Sequence, residues 1–159
     1  MIRYLLLLTL AFPVAGNAAV EGEIEGSAVV VPEPAMLPQA NGYLAELDNH
    51  TPSDLYKALA RAETLFLDGR LRGQMSPASF VLHGPDVSVF FRDNYREHKG
   101  LVDLAARLSA FGVVDIQVCE TQTGVLGRDR NDLMPFVGTV PFGPAEEERL
   151  VEREGYVYF

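Results

Sequence analysis

The chain has 159 residues, enough for one domain with one proper core, and 48% of them are hydrophobic against 22% charged. Thirteen Lys and Arg face 22 Asp and Glu, a net charge of −9, which argues against a nucleic-acid or anionic-membrane partner because like charges repel. A single cysteine excludes an internal disulfide.

The opening MIRYLLLLTLAFPVAGNAA carries Arg3, then an apolar run from Tyr4 to Val14, then small residues. The run is too short to span a bilayer, and the three-part pattern predicts a secretory signal peptide over residues 1–19 rather than an uncleaved anchor. Cleavage fits either Gly16-Asn17-Ala18 or Asn17-Ala18-Ala19. Export follows, to the periplasm if the source is Gram-negative, with no membrane attachment after cleavage. Residues 20–41 are acidic and rich in Gly and Pro, with a short apolar run Val29 to Val31. Proline donates no ladder hydrogen bond and holds its predecessor extended. This reads as an N-terminal arm, either reaching a neighbouring subunit or loose as a tail.

The domain proper is read over residues 42–159. Gly42 to Leu47 is a short candidate strand. Thr51-Pro52-Ser53-Asp54 starts a helix with capping residues and an early proline. Leu55, Ala58, Leu59, Ala62, Leu65 and Phe66 recur at helical spacing, up to an end near Asp68-Gly69. Ala78 to His83 is an apolar strand, and Gly84-Pro85-Asp86 ends it and starts a helix with Val87, Phe90 and Phe91 inward. A second helical stripe runs through Leu101, Leu104, Ala105, Leu108 and Phe111, and Gly112 closes it. Val113 to Cys119 is a strand, Thr121 to Gly127 a turn entering a short helix, and Asn131-Asp132 the cap of another ending near Phe136. Phe136 to Val140 is a strand, Pro141 to Pro144 opens an acidic helix, and Gly155 to Phe159 is the last strand. The acidic helix holds five Glu within Pro144–Glu154 and reads as a solvated face. Strands alternating with helices predict an α/β fold: a three-layer α/β/α sandwich around a mainly parallel five-stranded sheet.

Ligands of open α/β sheets bind at the carboxyl ends of strands. Cys119 and His83 both stand at such ends, and they share one crevice if their strands are neighbours. These two are the candidate catalytic residues. Gly84, Glu120, Thr121, Gln122, Thr123 and Gly124 are candidate binding residues, because the backbone after Cys119 offers N–H groups at a helix start. A helix N-terminus favours an anion and lowers a thiol pKa, whereas Glu120 raises it if its carboxylate points into the same pocket. The bland alternative is that Cys119 is a small buried hydrophobe and that His83 caps a strand-ending turn. A metal site drawing on Cys119, His83 and Glu120 has the right ligand types but none of the usual close spacing, no CxxC and no HxxxH. No metal and no organic cofactor is therefore expected. Walker, GxGxxG and GxSxG signatures are absent.

Three blocks, FVLHGPDVSVFF, LVDLAARLSAFGVVDIQVCETQTGVLG and TVPFGPAEEERLVEREGYVYF, resemble the DsrE/DsrF-like family of small sulfur-metabolism proteins, and its exported branch most. The resemblance spans roughly residues 42–159. It implies a five-stranded α/β/α sandwich, a homo- or hetero-oligomer, and a cysteine after a central strand that accepts sulfane sulfur as a persulfide, as in DsrE and TusD. Cys119 matches that position, with Gly124 and Gly127 in the loop. The implied partners are a sulfane sulfur donor and an acceptor protein or small thiol. Two departures stand out: the relay members are cytoplasmic, and the Pro-rich arm lies outside their pattern. The rival reading is a non-catalytic oligomeric module that holds a small anion or a partner protein in the same crevice.

Overall fold

A computed structural model describes residues 37, 40–71 and 76–159, all within one compact unit, Pro34–Phe159. The predicted signal peptide and nearly all of the predicted arm lie outside the described residues. Leu37 and Ala40, at the end of the arm, pack on the core.

Five strands form one parallel sheet: β1 (Gly42–Leu44), β2 (Ala78–Leu82), β3 (Val114–Cys119), β4 (Gly138–Val140) and β5 (Tyr156–Tyr158), in the order β4-β3-β2-β1-β5. Four helices join them: α1 (Pro52–Leu67), α2 (Lys99–Ala110), α3 (Glu120–Val125) and α4 (Gly143–Glu148), the last running on as a π-helical stretch, Arg149–Arg153. The predicted α/β class and its five-stranded sheet are therefore present.

The chain steps one strand at a time from β1 to β4 and then returns past β1 to β5. Right-handed crossovers in one direction put their helices on one face, and the reversed step puts its helix on the other. The packing obeys this. Phe80, Leu82, Ile116 and Val118 alternate onto the face covered by Leu55, Leu59, Val102 and Leu108 of α1 and α2. Leu44 and Val81 point the other way, against Leu150, with Val140, Val151 and Tyr156 around them. The second face carries the smaller core, and beyond the cover of Leu150 it presents Asp115 and Gln117, hydrogen-bonded to each other.

Thr51 caps α1 as predicted, its hydroxyl accepting from the Asp54 amide. Three local readings need correction. Gly84-Pro85-Asp86 opens a 3-10 helix, Pro85–Phe90, instead of an α-helix; the Asp86 carboxylate folds back onto the Gly84 amide and holds the entry tight. Phe111 is 73% exposed rather than core, because α2 ends at Ala110 and the chain turns there into β3. The segment near Asn131 is a single 3-10 turn, Arg130–Asp132, capped by Asp129 with Asp132 reciprocating.

Candidate functional site

β2 and β3 are paired neighbours in parallel register, and their last shared pair is Leu82 with Val118. His83 and Cys119 are the next residue on each chain, so they stand side by side, about one strand spacing of ~4.8 Å apart in backbone. Val118 points into the main core, so alternation turns Cys119 to the opposite face. Its partner on β4 is Val140, which packs on that face with Leu150. Cys119 is a free thiol, and only 2% of the residue is exposed.

The cover over Cys119 follows from topology. β3 lies between β2 and β4. The chain leaves β4 at Val140, opposite Cys119, and by Gly143 it lies against His83 at the end of β2: a Cβ on Gly143 would sit 2.6 Å from the His83 Cβ. Pro141, Phe142 and Gly143 thus cross over the end of β3. Two strand spacings are roughly 9.6 Å, and three residues reach at most about 11 Å. The crossing is a nearly taut strap. The connections after β3 and β4 leave to opposite faces, which makes this edge the topological switch point where α/β proteins hold ligands.

The candidate binding residues divide. The Glu120 carboxylate accepts the Thr139 hydroxyl at 2.7 Å. Thr139 is in register with Val118, so Glu120 is engaged on the side away from Cys119. Thr121 gives both its amide, at 3.4 Å, and its hydroxyl, at 2.9 Å, to the Pro141 carbonyl. That ties α3 to the strap and commits an amide that the sequence offered to a ligand. Thr123 is buried and its hydroxyl donates to the Cys119 carbonyl at 3.0 Å. Gln122 and Gly124 lie within α3, and Gly124 faces open space.

Sequence reasoning missed three residues around His83. The His50 ring packs tilted against the His83 ring, with centroids 4.0 Å apart at 52°. His50 Nδ1 is 3.1 Å from Oδ2 of Asp86, whose Oδ1 accepts the Gly84 amide at 3.1 Å. Asp86 is completely buried. Burial pushes its carboxyl pKa up, against the opposing pull of His50. On the other side, His83 Nε2 lies 3.4 Å from Oε2 of Glu147, in ion-pair range but without the alignment of a hydrogen bond. Tyr158 lies near Glu147, and burial followed by the Glu147 and Glu46 charges raises its pKa. Gly84, a predicted site residue, has a packing role: a Cβ there would meet the His50 Cβ at 2.4 Å. The third histidine, His98, precedes α2 and is apart from this group.

Among the described residues no group of three His, Cys, Asp or Glu is arranged to hold a metal ion, and no helix is long and apolar enough to cross a membrane.

No family model and no curated protein matches the sequence. Among solved structures the chain is similar to a protein of unknown function, MTH1491, from Methanobacterium thermoautotrophicum, with 22% identity and a TM-score of 0.53 over 74% of this chain and 96% of that one. At that identity the likeness extends to the fold alone.

Proposed function

We propose that the protein is an exported sulfur-handling protein that takes sulfane sulfur onto Cys119 as a persulfide and passes it to an acceptor thiol. One observation carries the reading: the only cysteine of the chain ends β3 at the topological switch point, one residue past the last β2–β3 register pair, as His83 is on the neighbouring chain segment. An imidazole can take a proton near neutral pH, and a thiolate is the nucleophile that sulfur transfer needs. The resemblance of three sequence blocks to the DsrE/DsrF-like family supports the same assignment.

His83 accepts the Cys119 proton. The thiolate attacks the outer sulfur of a donor persulfide, R–S–SH, and the donor S–S bond breaks. R–S⁻ leaves and takes a proton, and Cys119 holds the sulfur as a persulfide. An acceptor thiolate then attacks that outer sulfur and releases the Cys119 thiolate. No oxidant is consumed, and no cofactor is required. Val125, Leu126 and Phe142, exposed apolar side chains on the connections after β3 and β4, give an acceptor protein or a second subunit of a homo-oligomer something to bind. The 2% exposure of Cys119 requires the strap to shift for sulfur to enter.

That burial is also the observation favouring a second reading, an oligomeric binding module in which Cys119 is packing and the crevice holds a small anion or a partner protein. Intact-mass measurement after incubation with inorganic polysulfide separates the two. The sulfur reading expects one added sulfur atom, removed by dithiothreitol and absent from Cys119→Ser. It expects loading about a hundredfold or more slower in His83→Gln, the usual scale for a lost proton acceptor. An unmodified native protein would leave the binding module as the better account.

A further inference from the structure

Three costly features converge on one imidazole pair. His50 occupies a left-handed backbone conformation, φ +50°, which is strained for a residue other than glycine. Asp86 is an ionisable side chain with no exposed surface, which is expensive unless it is well partnered. Glycines at 84 and 143 leave room for the two rings where any Cβ would collide with them.

The geometry has a chemical direction. Asp86 accepts from His50 Nδ1, and the Asp86 amide donates to the His50 carbonyl at 2.9 Å. Both ends of His50, ring and backbone, are thereby locked to one residue. A carboxylate on Nδ1 fixes the proton there and sets the ring plane. The locked ring lies against the His83 ring. On the other side of that ring, Glu147 Oε2 lies 3.4 Å from His83 Nε2, within ion-pair range.

We propose that His50 and Asp86 are positioning residues for His83: Asp86 fixes the His50 ring, and that ring, packed against His83, holds the second imidazole in place to take the Cys119 proton. The assignment rests on the reading of Cys119 as a working thiol. The titratable groups around His83 are His50 from the β1–α1 connection, Asp86 from the 3-10 helix and Glu147 from α4, with Cys119 one residue past the β2–β3 register and Tyr158 of β5 under the charges of Glu147 and Glu46.

The test is the rate of Cys119 alkylation by iodoacetamide as a function of pH, in the full mature chain. Because the thiol is covered, a purely structural change scales the rate at every pH and leaves the midpoint of the profile where it was. A positioning role moves the midpoint. Asp86→Asn, which keeps the side-chain shape, is expected to shift the midpoint upward and slow the reaction at pH 7 by roughly threefold to tenfold, part of the loss seen in His83→Gln. His50→Asn, which tolerates the left-handed backbone, is expected to do the same. The ring ¹⁵N signals of the three histidines supply an independent reading: wild-type His50 carries its neutral proton on Nδ1, and Asp86→Asn redistributes it. If His83→Gln moves the midpoint while Asp86→Asn and His50→Asn do not, the positioning role is wrong and the sulfur reading stands. If His83→Gln does not move it either, the proton-acceptor assignment fails, and the positioning role with it.

Discussion

A carboxyl group with no solvent contact is the least expected residue in this molecule. Asp86 sits in the turn after β2 and spends both oxygens, on the Gly84 amide and on His50. Its pKa is raised by burial, so the folded state binds a proton more readily than the unfolded chain. The stability associated with the protonated form is full below the unfolded carboxylate value, about 3.9, and is lost as pH rises through the folded value. Asp86→Asn removes this dependence. The stability of the variant relative to wild type is expected to be most favourable at pH 7 and to decline as the pH falls toward about 4. Urea unfolding at a series of pH values checks it, and a relative stability that rises on acidification contradicts it. That Cys119 and His83 both end apolar strands was legible in the sequence; that the two strands are neighbours is supplied by the sheet order. The His50–Asp86 contact was not legible. The two residues lie 36 positions apart, and Asp86 in Gly-Pro-Asp has the pattern of an ordinary helix cap. Glu147 was hidden for another reason: it is one of five Glu in a run with the composition of a solvated surface, and only the seating of α4 on β2 turns this one toward His83.

At the scale of elements, the strap between β4 and α4 decides what reaches the thiol. Gly143 is buried and in contact with His83. Gly143→Ala forces a methyl group to within 2.6 Å of the His83 Cβ, an overpacking expected to cost about 1–3 kcal/mol. Gly124 is the opposite case. It lies in α3, a Cβ there meets nothing within 4 Å, and Gly124→Ala is expected to stabilise by roughly 0.5–1 kcal/mol through helix propensity. Denaturant unfolding of the two variants should give opposite signs, and equal signs would mean that the strap has slack. The long periodic stripe of α1 was predictable nearly to the residue because periodicity and cap agree, whereas α2 was legible from its stripe alone, without its N-terminal start. The short segments were not. One-turn 3-10 helices such as Arg130–Asp132 carry no periodic signal, and their extent is set by tertiary contacts such as the Met134 amide donating to the Phe90 carbonyl.

For the whole molecule, alternation of strands and helices was sufficient to read the parallel sheet, because parallel neighbours require crossovers. Strand order was beyond that signal, since the return of β5 past β1 leaves no mark in local sequence. Yet this return carries α4 to the second face, draws the strap across β3 and buries Cys119. The same topology that places the thiol at the switch point also closes it, and the proposed sulfur chemistry depends on local opening of the α4 layer. That layer rests on a small cluster built around Leu150, whereas the main core joins α1, α2 and the other face of the sheet. Segments with few buried apolar contacts open at lower free energy than the global fold. The direct measurement is the alkylation rate of native Cys119 in the absence of denaturant, set against the rate of global unfolding under the same conditions. The account predicts alkylation well ahead of global unfolding, by about tenfold or more, with the fold intact throughout. Alkylation no faster than unfolding would mean that Cys119 is sealed core, and the sulfur-handling assignment would be wrong.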